Sequence, residues 1–421
     1  MINIVRSKIH SSNAMLKSVM ILMSGTAFSH IIFISTLPII TRLYTPDDFK
    51  VLAIYSAILS IVSVLVCLRF EVAVPLPKYD SHACILVVLS LISTVIINIL
   101  IFLSLFIFQD NLKSFFNDSL VNYFWLIPIG GVFIGFFNAF QYWNTRKKDF
   151  LIISKTRVIQ TSFSSILQII YGLISPASIG LIIGYIIRIS FGFFITGRKF
   201  FKENWYNLKR INKIKLIVIF RKYKKFPKYS VLEGLFNSSS IQIPVLLIAF
   251  YSAGPEVGFL MLASQLLSAP MSLIGQSVAQ AYLSEARNEY QRNNLTEFTH
   301  KIIIILLKSS VIPLFLGFIL FPYLIPIFLG DEWSRVGVMM SWMVPWFFMQ
   351  FITSPISMSL HVTNNQSTAL LLQIFGFLFR NGMVIIAGCF LSEFIFEIYA
   401  VTGFIFYSIY LFVVLRVLGK S

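Results

Sequence analysis

The chain has 421 residues, of which 57% are hydrophobic and only 12% are charged, and its mean hydropathy is +0.82. These values exclude an ordinary soluble globular protein and indicate an integral membrane protein. The net charge of +17 does not indicate nucleic-acid binding, because the basic residues cluster in short loops between apolar stretches, where they would contact anionic membrane lipids. The three cysteines form no disulfide or metal-binding pattern.

Twelve apolar stretches are long enough to cross a bilayer, which requires about 20 apolar residues per helix. Each is predicted to be a continuous helix, because backbone polar groups cannot remain unpaired in lipid. The spans, numbered one to twelve, cover residues 15–40, 48–68, 82–108, 121–143, 151–174, 177–197, 231–250, 257–282, 302–329, 337–361, 367–391 and 394–416. The first span has no small-residue cleavage site after it and is expected to be retained as an anchor.

A basic tract separates spans six and seven. Between Arg198 and Lys228 it contains twelve Lys and Arg and a single acid, Glu203. Lys and Arg favour cytoplasmic loops. With the amino terminus inside, cytoplasmic segments hold 27 Lys and Arg and outer segments hold four. The sequence therefore predicts two six-helix lobes, residues 1–200 and 230–421, which are joined by a basic cytoplasmic linker at 201–229, with both termini cytoplasmic.

The loops between the spans are short, and the longest outer loop covers residues 109–120. No sizeable soluble domain is expected on either side, which argues against an appended catalytic domain. The outer ends of spans one and seven resemble each other weakly, since each places a Pro before a Tyr and then a Pro with an acid. Internal repeats of this kind are common in transporters, which bind substrate between the halves.

Span five carries a polar lane of Arg157, Thr161, Ser164, Gln168 and Gly172. His30 in span one is more typical of a packed, hydrogen-bonded histidine than of a proton site. In span six, Gly180, Gly184, Arg188 and Gly192 recur every four residues and share one face. This pattern fits either a close helix–helix seam or the wall of a wet cavity. The cavity is favoured for Arg188, because an arginine in mid-bilayer costs about 2.5–3.5 kcal/mol.

The second half contains more intramembrane polar groups. Span eight carries a stripe of Gln265, Ser268, Ser272, Gln276 and Gln280. Lys308 in span nine either faces a cavity or extends back to the headgroups. In span eleven, Gln373, Gly376 and Arg380 share a face, with Asn381 adjacent. Intramembrane charge is thus mainly positive, and a cationic interior prefers an anionic substrate.

Five segments carry a resemblance to a known family. They are GTAFSHIIFISTLPIITRLYTPDDF, RFEVAVPLPKYDSHA, RKYKKFPKYSVLEGLFNSSSIQIPVLL, MLASQLLSAPMSLIGQSVAQAYLSEA and FLGDEWSRVG. In this order and over nearly the whole chain they resemble bacterial polysaccharide flippases, the Wzx-type O-antigen translocases. The chain departs from the family pattern at Lys50, where glycine is usual, and at Gln265, where arginine is common. The second departure affects a position where a cationic contact would otherwise be expected.

The resemblance implies an all-α membrane protein of the multidrug/oligosaccharidyl-lipid/polysaccharide exporter superfamily, with twelve transmembrane helices in two six-helix lobes around a central cavity. It implies translocation of undecaprenyl-diphosphate-linked oligosaccharide, such as O-antigen for lipopolysaccharide biosynthesis, across the bacterial inner membrane by alternating access. A polysaccharide polymerase and a chain-length regulator are further candidate partners. No catalytic residue, metal or cofactor is predicted. The candidate substrate-binding residues are Arg188, Arg380, Lys308, Arg42, Gln265, Gln276, Gln280, Gln373 and His30.

Two alternatives remain open at this stage. A multidrug or cation antiporter of the same superfamily would be expected to use intramembrane carboxylates for proton or sodium exchange, and this chain has few. A membrane-embedded glycan polymerase or acyltransferase would be expected to carry a substantial periplasmic loop or a catalytic Ser–His–Asp or Cys–His pattern. The sequence contains neither feature.

Overall fold

The computed structural model describes residues 2–110, 123–252, 254–271, 275–363 and 365–419, and within these ranges the regular structure is entirely helical. The all-α membrane class is therefore confirmed. Most of the predicted outer loop at 109–120 lies outside the described residues, as does the beginning of span four. The chain divides into two compact units, which we call unit 1 (Met1–Thr36 and Tyr55–Ser238) and unit 2 (Leu37–Ile54 and Ser239–Ser421).

The first two helices contribute to both units, because the boundaries at residues 36/37 and 54/55 fall inside them. They are α1 (Ile2–Leu43) and α2 (Pro46–Val66). The remaining helices of unit 1 are α3 (Phe70–Ala73), α4 (Asp80–Ile107), α5 (Leu126–Arg146), α6 (Phe150–Ile174), α7 (Ser178–Ser190), α8 (Gly192–Lys209) and α9 (Lys213–Lys222). A π-helical turn, Phe226–Ser230, leads into α10.

Helix α10 (Val231–Tyr251) begins in unit 1 and continues into unit 2 across the boundary at 238/239. The other helices of unit 2 are α11 (Glu256–Pro270), α12 (Gln276–Gln291), α13 (Leu295–Leu329), α14 (Ser334–Ile356), α15 (Ser359–Val362), α16 (Gln366–Phe390) and α17 (Ile395–Leu418). Short 3₁₀ turns, Asp331–Trp333 and Ser392–Phe394, precede α14 and α17.

Ten helical stretches among the described residues have the length and apolarity of a membrane span. The two predicted spans that fall short are five and eight. Helix α6 has the length of a span at 25 residues, but it buries many polar side chains, including Gln160 and Gln168. The described part of span eight consists of the short apolar helix Glu256–Ala269 and the beginning of α12.

The segment predicted as the linker, 201–229, is mostly helical and is grouped with unit 1. Helix α8 extends through Lys209 because no Gly or Pro follows Gly197 within it and Lys199 pairs with Glu203 one turn later. The side chain of Asn212 then caps α9 by accepting a hydrogen bond from the Lys215 backbone N–H. Helix α9 packs through its buried Ile219 into the apolar core formed by α3, α4, α5 and α8.

One end of unit 2 is held together by contacts of residues 37–54. The indole Nε1 of Trp333 donates a hydrogen bond to the Thr41 carbonyl at 3.0 Å, and the Thr41 hydroxyl donates one to the Leu329 carbonyl at 2.9 Å. A Cβ atom at Gly258 would lie 2.7 Å from the Pro46 carbonyl oxygen and 2.8 Å from the Lys50 nitrogen. Only glycine permits this approach of α11 to the backbone of α2.

Candidate substrate-binding residues

Arg188 lies on α7 and faces two aromatic rings of unit 1. Its guanidinium carbon is 5.1 Å from the centre of the Phe33 ring and 5.4 Å from that of Tyr185. Contacts of this kind contribute about 0.5–2 kcal/mol each, depending on desolvation. The ion pairs found among the described residues do not include Arg188. Its charge is thus held by aromatic faces.

His30 and Arg157 belong to the same cluster. His30 on α1 interacts electrostatically with both Arg188 and Arg157. Arg157 on α6 donates a hydrogen bond from Nη1 to the Thr26 hydroxyl at 2.6 Å. The structure therefore brings together two of the predicted residues, His30 and Arg188, and adds a second arginine. We call His30, Arg157 and Arg188 the unit 1 cation cluster.

The glycine face of span six forms a close helix–helix seam, which was one of its two interpretations. Gly184 touches the side chain of Gln168 so closely that a Cβ atom would overlap it. Ser164 and Gln168 of α6 donate hydrogen bonds across this seam to the carbonyls of Gly184 and Leu181. The polar lane of span five therefore serves helix packing in this structure, which leaves Arg188 as the charged member of that face.

Arg380 lies on α16 in unit 2 and is only 6% exposed. Its guanidinium carbon is 4.5 Å from the Trp346 ring and 4.9 Å from the Tyr399 ring, which belong to α14 and α17. Arg380 takes part in none of the ion pairs formed by the described part of the chain. The two arginines thus have similar aromatic surroundings, one in each unit.

Several polar atoms around Arg380 lack a hydrogen-bond partner among the described residues. They include Nε and Nη2 of Arg380, Nε1 of Trp346 and Oδ1 of Asn381. Buried donors of this kind normally have a partner, and leaving one unpaired costs about 1–3 kcal/mol, or more for a charged group. Three of the four atoms are N–H donors, which makes this site, the Arg380 site, suited to an anionic ligand.

Arg42, at the end of α1, lines an apolar cavity of about 860 Å³ within unit 2. The cavity wall is formed by α11, α13 and α14, and includes Leu267, Pro313 and Phe347. Lys308 is exposed on α13 and does not line this cavity, although its neighbours Ser309 and Ser310 do. The cavity therefore combines one cationic side chain with a mostly apolar wall.

The glutamines are not gathered into one site by the described contacts. Gln265 is partly buried, and its backbone carbonyl accepts a hydrogen bond from Ser268. Gln373 is exposed, whereas Gly376 on the same helix packs against Phe406. Gln276 and Gln280 lie on α12, but their side chains are outside the described part of the structure. The predicted polar stripe of span eight thus stays a prediction.

One charged pair was not identified from the sequence, although it lies in the RFEVAVPLPKYDSHA motif. Leu68 and Arg69 both have left-handed backbones, with φ of 49° and 60°. This turn buries Glu71, 3.9 Å from Arg69, with Oε2 unpaired. Burial raises the pKa of the Glu71 carboxyl to about 7. Non-glycine residues in this conformation are uncommon and are concentrated at turns and functional segments.

Solved transporter structures share this fold. A lipid II flippase, MurJ, in an inward closed conformation matches with a TM-score of 0.71 and 16% identity, over 94% of this chain and 87% of that one. A mutant of the Vibrio cholerae MATE transporter VcmN matches with a TM-score of 0.57 and 13% identity, over 98% of this chain and 99% of that one. An inward-facing multidrug resistance MATE family transporter of the MOP superfamily matches with a TM-score of 0.58 and 14% identity, over 95% of this chain and 96% of that one.

Sequence comparison adds the family. No curated protein sequence matches the chain. A family model described as "Polysaccharide biosynthesis protein" matches residues 39–338, which is well over half of the chain and includes most of both units. The protein is therefore a multi-pass membrane member of the polysaccharide biosynthesis protein family, with the fold of MOP-superfamily transporters.

Proposed function

We propose that this protein translocates undecaprenyl-diphosphate-linked oligosaccharide, such as an O-antigen repeat unit, from the cytoplasmic to the periplasmic leaflet of the bacterial inner membrane. The observation that carries the proposal is the pair of intramembrane arginines, Arg188 and Arg380. Each rests on two aromatic rings and is absent from the ion pairs of the described residues. A diphosphate would supply the anionic partner that both guanidinium groups lack.

The apolar cavity beside Arg42 supports a substrate that carries a long hydrocarbon chain. Its volume of about 860 Å³ is in the range of ligand sites. A polyprenyl chain would fill the cavity and pack against its apolar wall. Arg42 would contact the phosphate end of such a chain. The glutamines of spans eight and eleven, Gln265, Gln276, Gln280 and Gln373, would donate to sugar hydroxyls during passage.

The mechanism we propose is alternating access by two lobes, with both termini cytoplasmic. It rests on the family assignment and on the fold of solved transporters, one of which is a lipid II flippase. Cation export fits the described residues less well. The intramembrane acid Glu397 is already bound to Arg335, with an oxygen to Nη2 distance of 2.8 Å.

The test is a strain from which this protein has been deleted. Its lipid extract should contain a single undecaprenyl-diphosphate repeat unit that is not accessible from the periplasmic side, and surface polysaccharide should be lost. Wild-type protein should restore the polysaccharide, whereas Arg188→Ala and Arg380→Ala should not, although both should reach the membrane. Arg292→Ala, at an exposed site outside the predicted spans, is the matched control and should restore it. Normal polysaccharide in the deletion strain would refute the proposal.

A further inference from the structure

A second cavity, of about 320 Å³, lies within unit 1 between the beginning of α4 and the helices α8 and α9. Its polar lining consists of Ser81, His82, Asn207, Arg210 and Lys215. Two of these side chains are cationic and none is a carboxylate. We call this cavity the α8–α9 pocket. It shares no residue with the unit 1 cation cluster or with the Arg380 site.

The two cations are positioned by the chain itself. The Lys215 ammonium donates a hydrogen bond to the Arg210 carbonyl at 2.8 Å, which draws the first turn of α9 against the end of α8. The Arg210 guanidinium stacks on Tyr206, 3.9 Å from the ring centre. No carboxylate neutralises Arg210 or Lys215 in the ion pairs of the described chain. Their charges therefore remain available to an anion in the pocket.

The end of α8 beside the pocket has the composition of a membrane interface. Trp205 and Tyr206 are 60% and 63% exposed at the end of the span helix Ser178–Lys209. Trp and Tyr concentrate where a bilayer meets water, because their rings suit one phase and their polar atoms the other. The Lys209 ammonium lies 5.0 Å from the Trp205 ring, which places a further cation at the same level.

The outer wall of the pocket is apolar. Ile214 and Val218 are one helical turn apart on α9, line the pocket and are 71% and 56% exposed. Helix α9 has only ten residues and is not among the helices long enough to span a membrane. An amphipathic helix with basic and apolar faces is stabilised when its apolar face enters the headgroup–acyl boundary.

We propose that the α8–α9 pocket binds the phosphate of an anionic phospholipid from the adjacent leaflet, with the acyl chains of that lipid covering Ile214 and Val218. Arg210 and Lys215 would contact the phosphate, and Ser81, His82 and Asn207 would bond the polar headgroup. The combination of cations, interface aromatics and an exposed apolar stripe favours a lipid over a soluble anion, which would leave the stripe uncovered. The site would hold α9 at the membrane surface, independently of what the protein transports.

The experiment measures binding of phosphatidylglycerol and phosphatidylcholine to the purified full-length protein by native mass spectrometry. The site variant is Arg210→Gln with Lys215→Gln. The matched control is Lys224→Gln with Lys225→Gln, which removes the same charge from the same basic tract outside the pocket. A basic residue near an anionic surface contributes about a factor of five, so the site variant should bind phosphatidylglycerol roughly thirtyfold more weakly. The control should change by less than about threefold.

Further arms distinguish the source of the phosphate. Inorganic phosphate at millimolar concentration should not displace the lipid. The double variant Ile214→Asn with Val218→Asn should weaken binding of long-chain phosphatidylglycerol. This second variant tests the site even if the cationic variant is unstable. Equal weakening of site and control variants would mean diffuse electrostatics and overturn the site. Displacement by inorganic phosphate would make it a soluble-anion site and overturn the lipid assignment. A co-purified protein that covers Ile214 while no lipid is bound would also overturn the lipid assignment.

Discussion

Arg380 allows the cost of a functional charge to be measured directly. A mid-bilayer arginine costs about 3 kcal/mol on insertion scales. The two desolvated cation–π contacts of Arg380, with Trp346 at 4.5 Å and Tyr399 at 4.9 Å, stabilise the charge by about 1–2 kcal/mol each. The unpaired Nε and Nη2 groups add to the cost, so the net contribution of Arg380 to the free energy of unfolding is close to zero or unfavourable. Arg380→Met retains much of the apolar volume and removes the unpaired N–H groups, so it should leave stability unchanged or slightly higher.

Function should respond in the opposite way. If Arg380 binds a diphosphate, Arg380→Met should abolish surface polysaccharide, and Arg380→Lys should restore little of it because an ammonium cannot bind two oxygens in one plane. Thermal unfolding in detergent and the amount of protein in the membrane are measured beside the polysaccharide. Arg292→Met controls for loss of a positive charge. A variant that is destabilised by 3 kcal/mol or more, or that is lost from the membrane, would show that Arg380 is a packing residue.

Three further predictions concern stability. Gly258→Ala should destabilise the protein by about 1–3 kcal/mol in thermal unfolding, because its Cβ would meet the α2 backbone. The control Gly382→Ala, whose Cβ would enter open space, should be neutral or stabilising. Equal effects of the two substitutions would contradict the close approach of α11 to α2. Trp333→Phe should cost about 1–3 kcal/mol, since it leaves the buried Thr41 carbonyl without its indole donor, and a neutral result would contradict that bond. Because burial raises the folded-state pKa of Glu71 from 4.5 to about 7, the folded protein binds that proton more tightly than the unfolded chain. The contribution of Glu71 to stability should therefore be largest below about pH 4.5 and fall by up to about 3 kcal/mol towards pH 7. Unfolding of Glu71→Gln at pH 5 and pH 8 should lack this fall, and parallel curves for the two proteins would contradict it.

The helical class could be predicted because each span must satisfy its own backbone in lipid, so length and apolarity suffice. The same reasoning identified Arg188 and Arg380, since a charge inside an apolar stretch is conspicuous without knowledge of its neighbours. Their aromatic surroundings could not be predicted in this way. Trp346 and Tyr399 come from two other helices, and only the packing of α14, α16 and α17 brings them to Arg380.

The basic tract was predicted as a linker from its charge, and its helical structure is an addition to that prediction. Lys and Arg are good helix formers, so a high charge does not exclude a helix. The apolar residues at 211, 214, 218 and 219 are the feature of the sequence that favours a packed amphipathic helix here. The repeat argument was also limited. Tyr44 and Tyr251, at the matching ends of spans one and seven, both belong to unit 2.

The assignment of residues 37–54 to unit 2 bears on how the chain can be divided. A fragment that starts after the basic tract would lack the Thr41 carbonyl that Trp333 bonds and the α2 backbone that lies against Gly258. Two co-expressed halves would therefore assemble only if the amino-terminal piece donated this short hairpin to the other. A stable carboxyl-terminal half would have to be engineered as a permuted chain that carries residues 37–54 with it.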